Sequence, residues 1–298
     1  RMFAYSEGWQ MENVDEAVDH GFEFVASLCA ELDENTLDLP AFPDVALRVK
    51  QALADPDISA EQIARVVGSD PVFSARLLKV ANSAMLNSVG AQIKDLRLAI
   101  MRLGFNMAYN IAVSIAVEQV MSSTTVDKLH PYFEDLWHHS VQVAAYSYVI
   151  ANKQTRINPD EAMLAGLLHD IGKYYILTRS EHFPQLFDQP ETLDAIIRDW
   201  HTAIGRSILE AWNFSEEVAL SADEHESLDR MHVGPADLTD VVMVANLFSH
   251  KQGIEQLLDI DWESMPVLKR LNLTAETALE VIEDSQEEMQ SIINALEN

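Results

Sequence analysis

Cysteine is nearly absent: Cys29 is the one cysteine in 298 residues. That excludes an internal disulfide framework and a cysteine-rich zinc site, and it predicts a reducing, cytoplasmic setting. Basic residues are also scarce. Twenty Lys and Arg stand against 48 Asp and Glu, for a formal net charge of −28. Binding to nucleic acid needs a basic patch, so nucleic acid is not an expected partner. No uninterrupted apolar run reaches about 18 residues, so no membrane span is expected. The opening "RMFAYSEGWQ" lacks the basic and apolar regions of a signal peptide. It starts on Arg1 rather than Met, as a piece of a longer product would.

What is present favours helices. Hydrophobic residues make up 48% of the chain, enough for a substantial core in one large or two ordinary domains. Acid is concentrated at the ends: nine acids and one base in residues 1–36, eleven acids and two bases in residues 253–298. Solvated helical extensions account for this best, and a docking surface for a basic partner is the weaker reading.

Helix starts and stops can be read directly. In "DISAEQIARVVG" (57–68), Ser59 is a natural N-cap with Gln62 closing a capping box, Ile58 and Ile63 form a staple, and Gly68 is a stop. In "DPVFSARLLKVANSAML" (70–86), Asp70 caps and Pro71 takes the first helical position. Phe73, Leu77, Val80, Ala81 and Ala84 share a face. Residues 93–104 carry an apolar stripe of Ile93, Leu96, Ile100 and Leu103 that ends at Gly104. Residues 110–121 alternate like a strand, but the intervening alanines and helical neighbours favour a buried helix. "NPDEAMLAGLLHDIG" (158–172) reads as one helix, with Asn158 as cap, Pro159 next and Glu161 closing a capping box. Residues 191–212, 215–226 and 237–251 also read as helices. Residues 274–296 carry a short, irregular apolar stripe that suits a docking helix better than a coiled coil. The fold expected is all-α with short connections.

Four histidines stand on four different expected helices: His139, His169 (beside Asp170), His201 and His225. Metal sites in helical bundles are assembled from inward side chains on facing helices. Imidazole with carboxylate suits Mn, Fe, Ni or Zn rather than Mg or Ca. Ala165 and Gly166 before His169, and Gly205 after His201, allow close helix approach. Lys173 could meet a phosphate. His20, His130, His138, His182, His232 and His250 are read as ordinary core or surface residues.

An ordered series of motifs resembles a known family. Leu39-Pro40, Pro43, Asp70-Pro71, Leu77-Leu78 and Ala81-Asn82-Ser83 come first. "AIMRLG" (99–104), "WHHS" (137–140) and "AGLLHDIGK" (165–173) follow. Over roughly residues 37–250 the chain resembles the HDOD domain, the HD-related output domain of bacterial signalling proteins. That family lies within the HD superfamily of metal-dependent phosphohydrolases. The resemblance implies a two-lobed helical bundle. Its expected parts are an acidic extension (1–36), an N-terminal lobe (37–130), an HD-like lobe (131–252) and a second acidic extension (253–298). By resemblance, His139 matches the upstream metal ligand, with His138 as the register alternative, and His169 and Asp170 match the central pair. The later ligand, an Asp in catalytic relatives, falls on Asn246, and the paired downstream His falls on Glu224-His225. Asn keeps an oxygen but loses the charge. Asp240 is no replacement, because six residues of helix turn it to another face.

The first functional reading is a non-catalytic bacterial signalling module that acts through a signalling protein partner or a small phosphorylated ligand. The second is a metal-dependent phosphohydrolase acting on a nucleotide or cyclic dinucleotide, with catalytic Asp170 and Lys173. Its metal would be a single Mn, Fe, Ni or Zn ion on a set drawn from His139, His169, Asp170, His201, His225 and Asn246. The third is a helical scaffold without a ligand. Oligomeric state is open.

Overall fold

The computed structural model describes residues 12–33, 44–82, 92–121, 129–250 and 260–297, and among these there is no strand. Leu39-Pro40, Pro43, Ser83 and Ala84 lie outside the described residues.

Five helices pack against one another ahead of the His-Asp region: α2 (Asp44–Leu53), α3 (Ala60–Val67), α4 (Pro71–Ala81), α5 (Leu96–Leu103) and α6 (Phe105–Met121). Their ends follow local chemistry. Ser59 and Gln62 form the reciprocal capping box of α3. The Asp70 carboxylate accepts from the Val72 and Phe73 amides at the start of α4. Helix α5 starts at Leu96 rather than Ile93, because the Asp95 carboxylate caps it through the Leu98 amide. Gly104, at φ 82°, turns the chain sharply into α6. The ambiguous segment is a helix, and Asn110 to Val117 are all buried in it. No single helix among the described residues is long and apolar enough to cross a membrane. The bent α5–α6 pair meets the criterion only jointly, with a 107° break.

The second group is α7 (His130–Gln154), α8 (Pro159–Leu168), α9 (Ile171–Ser180), α10 (Pro190–Ala211), α11 (Glu216–Glu224) and α12 (Leu238–Ser249). Helix α7 lies along α8 and α12, and α10 along α9 and α11. The two groups share one continuous apolar core. They are also joined by polar contacts. Asn110 donates to the Asp160 carbonyl at 2.7 Å. Lys50 of α2 donates to the Asn213 carbonyl at 2.5 Å, just past the end of α10, where a cation suits the helix dipole.

One expectation fails in an informative way. Residues 158–172 are not one helix. The chain breaks after α8 at His169-Asp170, where Asp170 takes φ −102° and ψ 16°, and α9 starts afresh at Ile171. Nor does Glu161 close a capping box: the Asn158 side chain accepts from the Asp160 amide alone. No Gly or Pro marks the break, so the tertiary setting imposes it.

Both ends of the described chain fold back on this bundle. Helix α1 (Glu12–Asp33) packs on α10, and its Glu31 pairs with Tyr175 and Arg179 of α9. Beyond residue 260 come α13 (Pro266–Arg270), α14 (Ala275–Asp284) and α15 (Gln286–Glu297). The stripe expected over 274–296 is thus two helices, parted at Ser285. Helix α15 buries Met289, Ile292, Ala295 and Leu296 and packs on α7, α4 and α6.

Candidate metal centre

Close helix packing creates the site. A Cβ on Gly166 would lie 2.6 Å from Ser147 Oγ and 2.8 Å from the Val143 carbonyl, so α8 touches the backbone of α7. A Cβ on Gly172 would lie 1.9 Å from the His201 carbonyl, so α9 and α10 meet backbone to backbone. The expected small-residue contacts at Gly166 and Gly205 are real, and Gly172 is the stricter one. These approaches bring side chains from α7, the α8–α9 break, α10 and the end of α11 to one point.

That point is the Asp170 carboxylate, which is fully buried. One oxygen, Oδ2, lies 3.3 Å from His169 Nε2, 3.5 Å from His139 Nε2 and 2.8 Å from Lys173 Nζ. The other, Oδ1, lies 3.4 Å from His225 Nε2 and 3.6 Å from His201 Nε2. His169, His201 and His225 are buried, while His139 is 17% exposed. Two groups of donors that could hold a metal ion therefore share Asp170: His139 with His169, and His201 with His225.

The far ring nitrogens are already spoken for. His169 Nδ1 donates to the Gly166 carbonyl at 2.8 Å, His201 Nδ1 to Ile197 at 2.8 Å and His225 Nδ1 to Ala222 at 2.9 Å. A carbonyl only accepts, so each Nδ1 carries the proton and each Nε2 of a neutral ring points a lone pair inward. Orientation of this kind, through the second nitrogen, is what metal-binding histidines require. His139 Nε2 and His169 Nε2 face each other at 3.2 Å, which calls for a proton or a cation between them. Asp170 Oδ1, His201 Nε2, His225 Nε2 and Asn246 Oδ1 are buried without any hydrogen-bond partner. Buried acceptors left bare are costly, and a cation relieves all of those that it reaches.

Electrostatics point the same way. Burial, and then the charge of His169, lower His139 to about 3. Burial also lowers His169. Burial alone would raise Asp170, but His169, His225 and Lys173 outweigh it and hold the carboxyl well below its usual range. Burial thus favours neutral rings at His139 and His169 beside an ionised carboxylate, the state that binds metal.

Sequence reading missed two residues here. Glu226 Oε1 lies 3.4 Å from His201 Nε2 and 3.9 Å from His225 Nε2, and the close approach of His201 lowers its carboxyl to about 2. It follows His225 directly, and that adjacency was the available signal. His250, read as an ordinary residue, stacks on His139 with ring centroids 4.8 Å apart. It stands one turn after Asn246, and that spacing could have flagged it. Asn246 itself is buried on α12, and its carbonyl accepts from Ser249, whose hydroxyl lies 3.4 Å from His139 Nδ1. His138, the register alternative, turns outward to Glu297 and Gln142, whereas His139 turns toward Asp170.

Asp240 does face elsewhere. It accepts from Arg270 at 2.6 and 3.0 Å and from Arg230 at 3.3 Å, and it lies 2.8 Å from His232. His232, Asp237 and Asp240 converge closely enough for a cation. Two guanidinium groups already fill that role, so this is an ion-pair network.

An all-helical bundle with a His-Asp pair at a helix break, and histidines from three other helices around it, defines a protein of the HD type. The HDOD domain profile matches residues 39–228, well over half of the chain, and the chain belongs to the HDOD family. Solved structures agree. A protein of Shewanella amazonensis SB2B, named by inference a metal-dependent phosphohydrolase, is 27% identical with a TM-score of 0.72, covering 94% of this chain and 100% of that one. An HDOD domain protein of unknown function from Geobacter sulfurreducens is 22% identical with a TM-score of 0.68, covering 95% and 99%. A protein of Marinobacter aquaeolei VT8, named by inference a signal transduction protein, is 20% identical with a TM-score of 0.63, covering 94% and 67%. The last two show the fold alone. An uncharacterized protein of Treponema pallidum (strain Nichols) is 24% identical over an alignment of 237 residues that covers 74% of this chain and 44% of that relative. The chain therefore spans less than half of the length of that relative.

Proposed function

We propose that the chain is a regulatory module of a bacterial signalling system, cytoplasmic and non-hydrolytic, whose HD-like lobe is held together by a divalent metal ion. It acts through a signalling protein partner or a small phosphorylated ligand. One observation carries the non-hydrolytic reading. The Lys173 ammonium sits on Asp170 Oδ2, while Asn246 stands where catalytic relatives use an aspartate. That half of the centre has one shared carboxylate and a cation already in place, which is poor provision for a reactive metal. His139 and His169 orient there, and Lys173 fixes Asp170.

Metal-dependent phosphohydrolysis is the second reading. It is favoured by the bare Nε2 lone pairs and by the name of the Shewanella amazonensis protein. A bound cation would supply Lewis acidity and a water of lowered pKa. His201, His225 and Asp170 would hold it, and Lys173 would orient a phosphate. The discriminating experiment is turnover of cyclic dinucleotides and nucleotides by manganese-loaded protein. No turnover above the protein-free rate is expected. Turnover that disappears in His169→Ala and Asp170→Ala establishes the hydrolase instead.

A further inference from the structure

The two halves of the centre are not equivalent. On the Oδ2 side of Asp170, Lys173 meets the oxygen and the His139 and His169 nitrogens lie against each other, which leaves Asn246 Oδ1 as the bare acceptor there. On the Oδ1 side, Asp170 Oδ1, His201 Nε2 and His225 Nε2 are all buried and all bare. The need for a cation is concentrated there.

Charge divides in the same direction. The Oδ2 side has two neutral rings, one shared carboxylate and the positive Lys173. The Oδ1 side has the His201 and His225 rings, the same shared carboxylate and Glu226, and no Lys or Arg side chain contacts it among the described residues. Among the described residues, Glu226 is the further carboxylate that approaches these Nε2 atoms, and it enters from the solvent side with its side chain 46% exposed. Distances fit as well. Donors about 2.1 Å from one cation at tetrahedral angles lie about 3.4 Å apart. Asp170 lies 3.4 Å and 3.6 Å from His225 and His201, and these three are close enough to share one ion; Glu226 lies 3.4 Å and 3.9 Å from His201 and His225, within reach of the same ion from the solvent side.

We propose that the chain holds its tightest divalent cation on the Oδ1 side of Asp170, between His201 and His225, with Glu226 as the anionic ligand that Asn246 cannot be. This rests on the reading of the lobe as a metal centre. The resemblance matches His139, His169 and Asp170 to metal ligands, whereas this ion lies on the other side of Asp170. A borderline cation such as Mn, Fe, Co or Zn suits two imidazoles with two carboxylates. Glu226 is also the one ligand with a large solvent-exposed surface, so exchange of metal or approach of a ligand would occur past it.

The test is equilibrium binding of cobalt to metal-stripped protein, read by stoichiometry and by the visible absorption of the bound ion. Three chains are compared: wild type, Glu226→Gln and His139→Gln. Wild type is expected to take up one tight equivalent. Glu226→Gln should weaken it by about 10–100-fold and change the absorption. His139→Gln, on the other side of the shared Asp170, should weaken binding less than Glu226→Gln does and leave the absorption unchanged. Far-ultraviolet circular dichroism checks that Glu226→Gln, a change at a half-exposed side chain, stays folded. Metal unchanged in Glu226→Gln, or lost equally in both variants, overturns the inference and leaves the metal centre standing. No uptake by wild type sinks the metal centre and the inference with it.

Discussion

Lys173 Nζ lies 2.8 Å from Asp170 Oδ2, and Asp170 is fully buried. The two are three residues apart across the start of α9, so the ammonium acts as a resident counter-ion. Breaking a buried pair on one side leaves the other charge uncompensated, at about 3–5 kcal/mol when both are deeply buried. Lys173 is 22% exposed, so a smaller loss is expected. Metal-stripped Lys173→Met should lose about 2 kcal/mol in urea denaturation. Saturating manganese should recover most of that loss. Stability equal to wild type without metal would show that Lys173 does not balance Asp170.

Gly172 and Gly205 make opposite predictions at one helix crossing. A Cβ on Gly172 meets the His201 carbonyl at 1.9 Å, whereas the nearest atom to a Cβ on Gly205 is 3.4 Å away. Gly172→Ala must force α9 and α10 apart, at a cost of more than about 3 kcal/mol. Gly205→Ala should fall within about 1 kcal/mol of wild type, since alanine also favours a helix interior. Thermal or urea unfolding of the two variants checks the contrast.

Acid should destabilise the metal-free protein from near-neutral pH downward. His139 is lowered from 6.5 to about 3 in the folded state, and His169 is lowered too. The unfolded chain therefore takes up protons that the folded chain refuses. Their contribution is complete above the unfolded value and falls away as pH drops from 6.5 toward 3. By pH 5 the His139 share amounts to about 1–2 kcal/mol. Urea midpoints at pH 7.5 and pH 5 measure it, and His139→Gln should show a shallower slope.

Asn246→Asp should restore charge on α12. A second carboxylate near His139 would allow a second manganese ion to bind alongside the first, against the pull of Lys173 on Asp170. Calorimetric titration should show a new, weaker binding event that wild type lacks. An unchanged isotherm would mean that residue 246 does not face the centre.

Much of this was legible in the sequence. Caps at Ser59, Asp70 and Asn158 follow from side chains bonding to amides two or three residues on, which is local chemistry. The convergence of His139, His169, His201 and His225 was anticipated because each falls on a different expected helix and the family motifs single out several of them, although His169 and His225 in fact sit just past helix ends. The break at His169-Asp170 was not, because nothing local ends a helix at Leu-His-Asp-Ile. It arises from packing that Gly172 permits against α10. Glu226 and the Asp240 network were also hidden. Asp240 meets Arg270 across 30 positions, and no periodicity reports such a pairing.

The most direct measurement is elemental analysis of protein stripped of metal, re-equilibrated with manganese and dialysed. Manganese near one ion per chain is expected, falling sharply in His225→Ala. Protein that emerges with none contradicts a metal centre in this lobe.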